Sequence, residues 1–268
     1  MWFSRRFAGQ VLALVLVAAA PASADVIVNT IFDPVQLVIG ANGAFTSFSG
    51  INLSVFAQAL DSAGGFDQAS DSNSMNAAAN AFTSFASGSG HAVLGTSPPL
   101  LVGGVNSSVL LPNLFNGFAS GEGQTTMSGG FEIAGVTGPI SVNFTAFLDD
   151  HQLLKTTGTG VSASSESIFT LTVPDVQASP LLSFDNLLTI GPNQTMNYFP
   201  STITLATSAV LMPNTIYPFV AALDSESFGA STPEPASIAL LLTTVGLSGL
   251  LCRRARRARL RNATELRP

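Results

Sequence analysis

The chain has 268 residues, a charged fraction of only 10% and a formal net charge of -6, enough for one large domain or two small ones. All but one of its ten basic residues lie at the ends: Arg5 and Arg6 at the start, and Arg253, Arg254, Arg256, Arg257, Arg259, Arg261 and Arg267 at the close. Between Asp25 and Thr232 the single cation Lys155 stands against fourteen acidic side chains, a balance of -13, and such a surface repels nucleic acid and anionic lipid headgroups.

Residues 1–24 read as a secretory signal helix. Arg5 and Arg6 form a charged start, residues 11–20 an apolar run, and Ala22-Ser23-Ala24 supplies the small residues around a signal peptidase cut before Asp25. The apolar run is short for a bilayer span and contains Gln10 when counted from Phe7, so cleavage is favoured over an uncleaved anchor. Export would place the body in an oxidising compartment, yet it has no cysteine to pair, and its stability must come from its core.

From residue 25 to about 230 the patterning is that of short antiparallel strands. Residues 45–60 suit one long strand or a strand pair. Residues 71–90, rich in Ala, Ser and Asn, suit a short helix or a tightly packed strand; strand or irregular structure is favoured. Period-two alternation is plain at residues 141–148, 168–173 and 202–207, with Gly and Pro punctuation at 135–139 and 191–193. The expectation is an all-β body, an antiparallel sandwich or a jelly-roll-like fold. Nineteen phenylalanines against two tyrosines predict that aromatic residues mainly fill the core. Tyr198 and Tyr217 are expected as core or rim residues, and the lone Trp2 lies in the signal segment.

Sites for chemistry are sparse. The sequence holds no Gly-x-Ser-x-Gly elbow, phosphate-binding loop or His-Glu-x-x-His pair, and it implies no cofactor and no metal. Asp149-Asp150-His151, with Lys155 nearby, is the closest approach to an acid–base or metal cluster; a solvated turn after a strand ending at Leu148 is favoured, given the turn preference of Asp. Asp61, Asp67 and Asp71 offer oxygen ligands but miss the EF-hand spacing, and His91 earns no role.

The last segment begins with Pro233-Glu234-Pro235, where each proline favours an extended backbone that a protease groove can hold. Residues 236–252, ASIALLLTTVGLSGLLC, run seventeen positions without a charge, and as a helix would measure roughly 25 Å, a workable single transmembrane span. Six arginines, Arg253, Arg254, Arg256, Arg257, Arg259 and Arg261, follow at once and would stay cytoplasmic, leaving the body outside. Cys252 reads as a small buried hydrophobe in the run, with acylation the sharper alternative.

This order of tripeptide, apolar helix and arginine cluster, over residues 231–261, resembles the PEP-CTERM sorting signal of Gram-negative bacterial surface proteins; residues 262–268 extend beyond it. The resemblance implies an exosortase as processing partner, inner-membrane anchoring before processing, and later residence in the outer envelope, at the cell surface or in an exopolysaccharide matrix. The expected role is non-enzymatic, structural or interactive. A carbohydrate-binding module facing exopolysaccharide is the alternative, and a secreted hydrolase a second alternative that the poverty of His, Lys and Arg in the body argues against.

Overall fold

A computed structural model describes residues 25–41, 44–95, 101–112 and 116–232. The signal segment with Ala22 and Ala24, the Pro233-Glu234-Pro235 motif, the apolar run and the arginine cluster lie outside the described residues. Within them the protein is all-β, with no helix. Thirteen strands follow in order: β1 (Asp25–Ala41), β2 (Phe45–Asp61), β3 (Phe66–Asn73), β4 (Asn76–Phe82), β5 (Ala86–Leu94), β6 (Leu101–Leu111), β7 (Gly117–Ala134), β8 (Ile140–Thr157), β9 (Val161–Thr172), β10 (Leu182–Ile190), β11 (Thr195–Tyr198), β12 (Ile203–Leu211) and β13 (Ile216–Ser231).

They form two antiparallel sheets. The first has the order β11-β8-β1-β6-β5-β4, with β12 following β11 along the same edge of β8; the second has the order β10-β9-β13-β7-β2-β3. The inner faces meet, because alternate residues of nearly every long strand are apolar or small and must leave water. Residues 45–60 form one long strand rather than a pair; the alternation at 141–148 lies in β8, and those at 168–173 and 202–207 fall on β9 and β12 except for residue 173, just past β9, and residue 202, just before β12.

The Ala-rich stretch 71–90 is strand, not helix. In β4 it is Ala77, Ala79 and Ala81 that point inward, and β5 follows with Ala86, Gly88, Gly90 and Ala92. Small residues are required there because the sheets touch: a Cβ on Gly88 would run into the Glu122 carbonyl, one on Gly121 into the Ser87 carbonyl, and one on Gly123 into the Ser89 carbonyl. Elsewhere larger side chains separate the sheets. Phe131 lies among Phe144, Tyr217 and Phe219 with ring centroids 5.9, 5.6 and 6.2 Å away, and Phe32 stacks on Phe184 at 5.7 Å. The prediction that aromatic residues mainly fill the core holds for Phe32, Phe131, Phe144, Phe169 and Phe219, which are fully enclosed; Phe66, Phe82, Phe118, Phe147 and Phe199 are exposed instead.

A polar belt crosses the interior. Thr30 of β1 bonds through its hydroxyl to Ser165 of β9 at 2.6 Å and to Ser227 of β13 at 2.7 Å, and Ser227 reaches Ser107 of β6 at 2.9 Å. These hydroxyls partner one another across the two sheets, which meets the requirement that buried polar groups be hydrogen-bonded.

Candidate functional site

Asp149, Asp150 and His151 do not form a turn. β8 continues through them to Thr157, held by β1 on one side and, at Gln152–Lys155, by β11 on the other, so strand alternation sends Asp150 inward and its neighbours outward. Asp150 is fully buried and, among the described residues, has no cationic partner. Its carboxylate accepts from Ser167 Oγ at 2.8 Å, from Asn186 Nδ2 at 2.7 Å and from Gln152 Nε2 at 3.1 and 3.2 Å, which is what makes a strand position tolerable for a charge. Nearby, burial and then the Asp150 charge raise the Tyr198 phenol above its ordinary value. His151 packs against Phe199 on the outer face, and Lys155 is exposed.

The other candidates separate as well. His91 lies 3.8 Å from Asp33, which reaches it over Gly104 at the bulge in β1. Asp61 caps the β2–β3 turn by accepting from the N–H groups of Ala63 and Gly65. Tyr217 is a core residue whose hydroxyl accepts from the Met212 N–H and donates to the Met212 carbonyl. Among the described residues no group of three or more His, Cys, Asp or Glu is placed to hold a metal ion.

What the fold does bring together is a row of carboxylates on the outer face of the second sheet. Glu226 of β13 stands in register with Glu166 of β9 on one side and Glu122 of β7 on the other, while Asp224, two residues before Glu226, shares that face. Like charges on directly paired positions destabilise a sheet. Gln124 relieves part of the strain by donating to Glu122 at 2.6 Å and to Asp224 at 3.1 Å, but Asp224 Oδ1 has no partner. Burial, then the Glu122 charge, push Asp224 up to about 6 despite the opposing Gln124 bond, with Glu226 and Glu166 adding to the rise. Glu122 is raised by burial and then by Glu226; Glu166 is raised by burial and then by Asp185 and Glu226.

Along the strands from this row, the same face carries Phe228, paired through Ser120 to Leu60 and Phe66, and Phe118 stacks on Phe228 at 6.3 Å. Compared with family models, curated proteins and solved structures, the chain has no match. The row therefore stands on its geometry: acceptor oxygens beside exposed rings on an open sheet face. Strand parity marks each of Glu122, Glu166 and Glu226 as outward, but their adjacency depends on which strands pair, which no single segment reveals.

Proposed function

We propose that this chain is an exported bacterial surface or extracellular-matrix protein with a structural or interaction role, its β-sandwich body bracketed by a cleaved signal helix and a C-terminal membrane helix. The observation that carries the reading is the order Pro233-Glu234-Pro235, seventeen uncharged residues, and then six arginines within nine positions. Signal peptidase and an exosortase are the processing partners, and the membrane is engaged through residues 236–252. An acidic, cysteine-free body with its own apolar core suits delivery to the outside without disulfide formation. Replacement of Pro233-Glu234-Pro235 by three alanines is expected to abolish tail removal and surface retention, read by the mass and the fraction of the chain in cells carrying an exosortase. Unchanged processing and location would refute the assignment.

A second reading, a carbohydrate-binding module associated with exopolysaccharide, is favoured by one observation: Phe66, Phe118 and Phe228 adjoin the Glu122–Glu226–Glu166 row on one face, rings for stacking beside acceptors for sugar hydroxyls. Co-sedimentation of the protein with its host's polysaccharide, lost on Phe118→Ala together with Phe66→Ala, is the expected outcome of that reading. Equal co-sedimentation of both forms excludes the face as the binding surface.

A further inference from the structure

The two lateral edges of the first sheet are treated in opposite ways. At the β4 edge, side chains from the second sheet stand in for a missing strand: Asp71 Oδ2 accepts from the Ala78 N–H at 3.1 Å and Asp67 Oδ2 from the Phe82 N–H at 2.9 Å. The carboxylates and the amides they cap are both four residues apart, so β3 closes that edge by side chain where it cannot by backbone. Such coverage, by carboxylates that stand at the edge itself, blocks edge pairing.

The opposite edge has no such guard. β12 is bonded to β8 on one side, and among the described residues no hydrogen bond reaches its other side. Its sequence, ITLATSAVL, has no charge, no proline, no glycine and no bulge, while its β-branched and apolar residues favour extended pairing. Val210 is 71% exposed and Met212, just beyond the strand, 56%.

We propose that β12 is a pairing edge for a second copy of this chain: two β12 strands meet antiparallel about a twofold axis with Thr207 opposite Thr207, joining the first sheets of both copies into one. Charge selects the occupant. The body carries fourteen carboxylates against one lysine, so two copies repel each other wherever acidic faces meet; from Asn186 to Leu223 there is no charge at all, and the adjoining outer positions of β8, Ser141, Asn143, Thr145 and Phe147, are neutral too. The strand is also self-complementary in this register. Ile203 meets Leu211, Leu205 meets Ala209 and Thr207 meets Thr207 on one side, and Thr204 meets Val210 and Ala206 meets Ser208 on the other, with no unlike pair of charge and hydrocarbon. An edge of nine residues buries little surface, so the dimer is weak and depends on concentration.

The test is sedimentation equilibrium of the full chain in density-matched detergent over a concentration series. Wild type is expected to pass from monomer to dimer mass. Ala206→Glu with Ser208→Glu, and separately Ala206→Lys with Ser208→Lys, are expected to stay monomeric, and an equimolar mixture of the two is expected to regain the dimer, which a merely unfolded variant would not do. Should either charged form fail to fold, Thr207→Cys in a Cys252→Ser background serves instead, because opposed antiparallel residues lie within disulfide reach; a linked dimer on oxidation supports the pairing and its absence overturns it. Wild type that remains monomeric throughout, or a dimer kept by both charged variants, overturns the proposal. So does protection of β12 amides from exchange only when a basic peptide or a polysaccharide is added, which would assign the edge to that occupant.

Discussion

Two regions of the same interior hold the sheets together by opposite means. Where β5 crosses β7, Gly88, Gly121 and Gly123 let backbone rest on backbone, and the sheets approach more closely than the usual 10 Å or so. The rings of Phe131, Phe144, Tyr217 and Phe219 instead fill a gap that the sheets leave open. Both regions follow the same inward–outward alternation, so side-chain volume alone sets the local spacing. The polar belt of Thr30, Ser107, Ser165 and Ser227 lies at the level where spacing is tightest, since Gly88 pairs with Ser107 and Gly121 with Ser227. Small hydroxyls fit there and can satisfy one another across the narrow gap.

The comparison predicts unequal tolerance. Gly121→Val is expected to have the largest effect, because the added carbons meet the Ser87 carbonyl, and a backbone paired on both sides cannot yield as a side chain would. A loss above roughly 4 kcal/mol, seen as failure to accumulate folded protein or collapse of the urea midpoint, is expected. Gly138→Val, in a turn with nothing near its missing Cβ, should stay within about 0.5 kcal/mol of wild type. Phe131→Ala should fall between, costing about 3–5 kcal/mol, as the surrounding rings collapse only partly into the space. If Gly121→Val melts at or above the Phe131→Ala midpoint, the sheets are not in backbone contact at β5 and β7.

How much of this could be read in advance depended on whether a residue's fate was local. The strands at 141–148, 168–173 and 202–207 were legible because bulky and polar residues alternate there without interruption. β4 was ambiguous because alanine occupies Ala78 outside as well as Ala77, Ala79 and Ala81 inside, so the period that separates strand from helix is muted. Asp150 was misread as part of a turn because a charge at an inward position looks like the end of a strand. The donors that stabilise it, Ser167 and Asn186, arrive from β9 and β10, and no pattern around residue 150 announces them. The carboxylate row failed for the same reason: Glu122, Glu166 and Glu226 are far apart in the chain and become neighbours only through the β9-β13-β7 order.

That row also separates the outer face of the second sheet from that of the first, and pH is the lever that sharpens the difference. Asp224 takes up its proton at about 6 in the folded protein against 3.8 for an unperturbed side chain. Between these values the native state binds more protons than the unfolded chain, so this group's contribution to stability rises as pH falls from above 6 toward 4, and its penalty is fully expressed above 6. Glu122 and Glu166, also raised, act in the same direction. Asp224→Asn removes one charge from the row and leaves an oxygen to accept from Gln124. Because Asp224 is partly exposed, solvent screening reduces the gain to about 1 kcal/mol at pH 7.5, or about 2–4 °C in melting temperature for a domain of this size, vanishing near pH 4. Neutral substitution that destabilises the protein at pH 7.5, or a gain that persists unchanged at pH 4, would show that the carboxylates on this face do not repel one another.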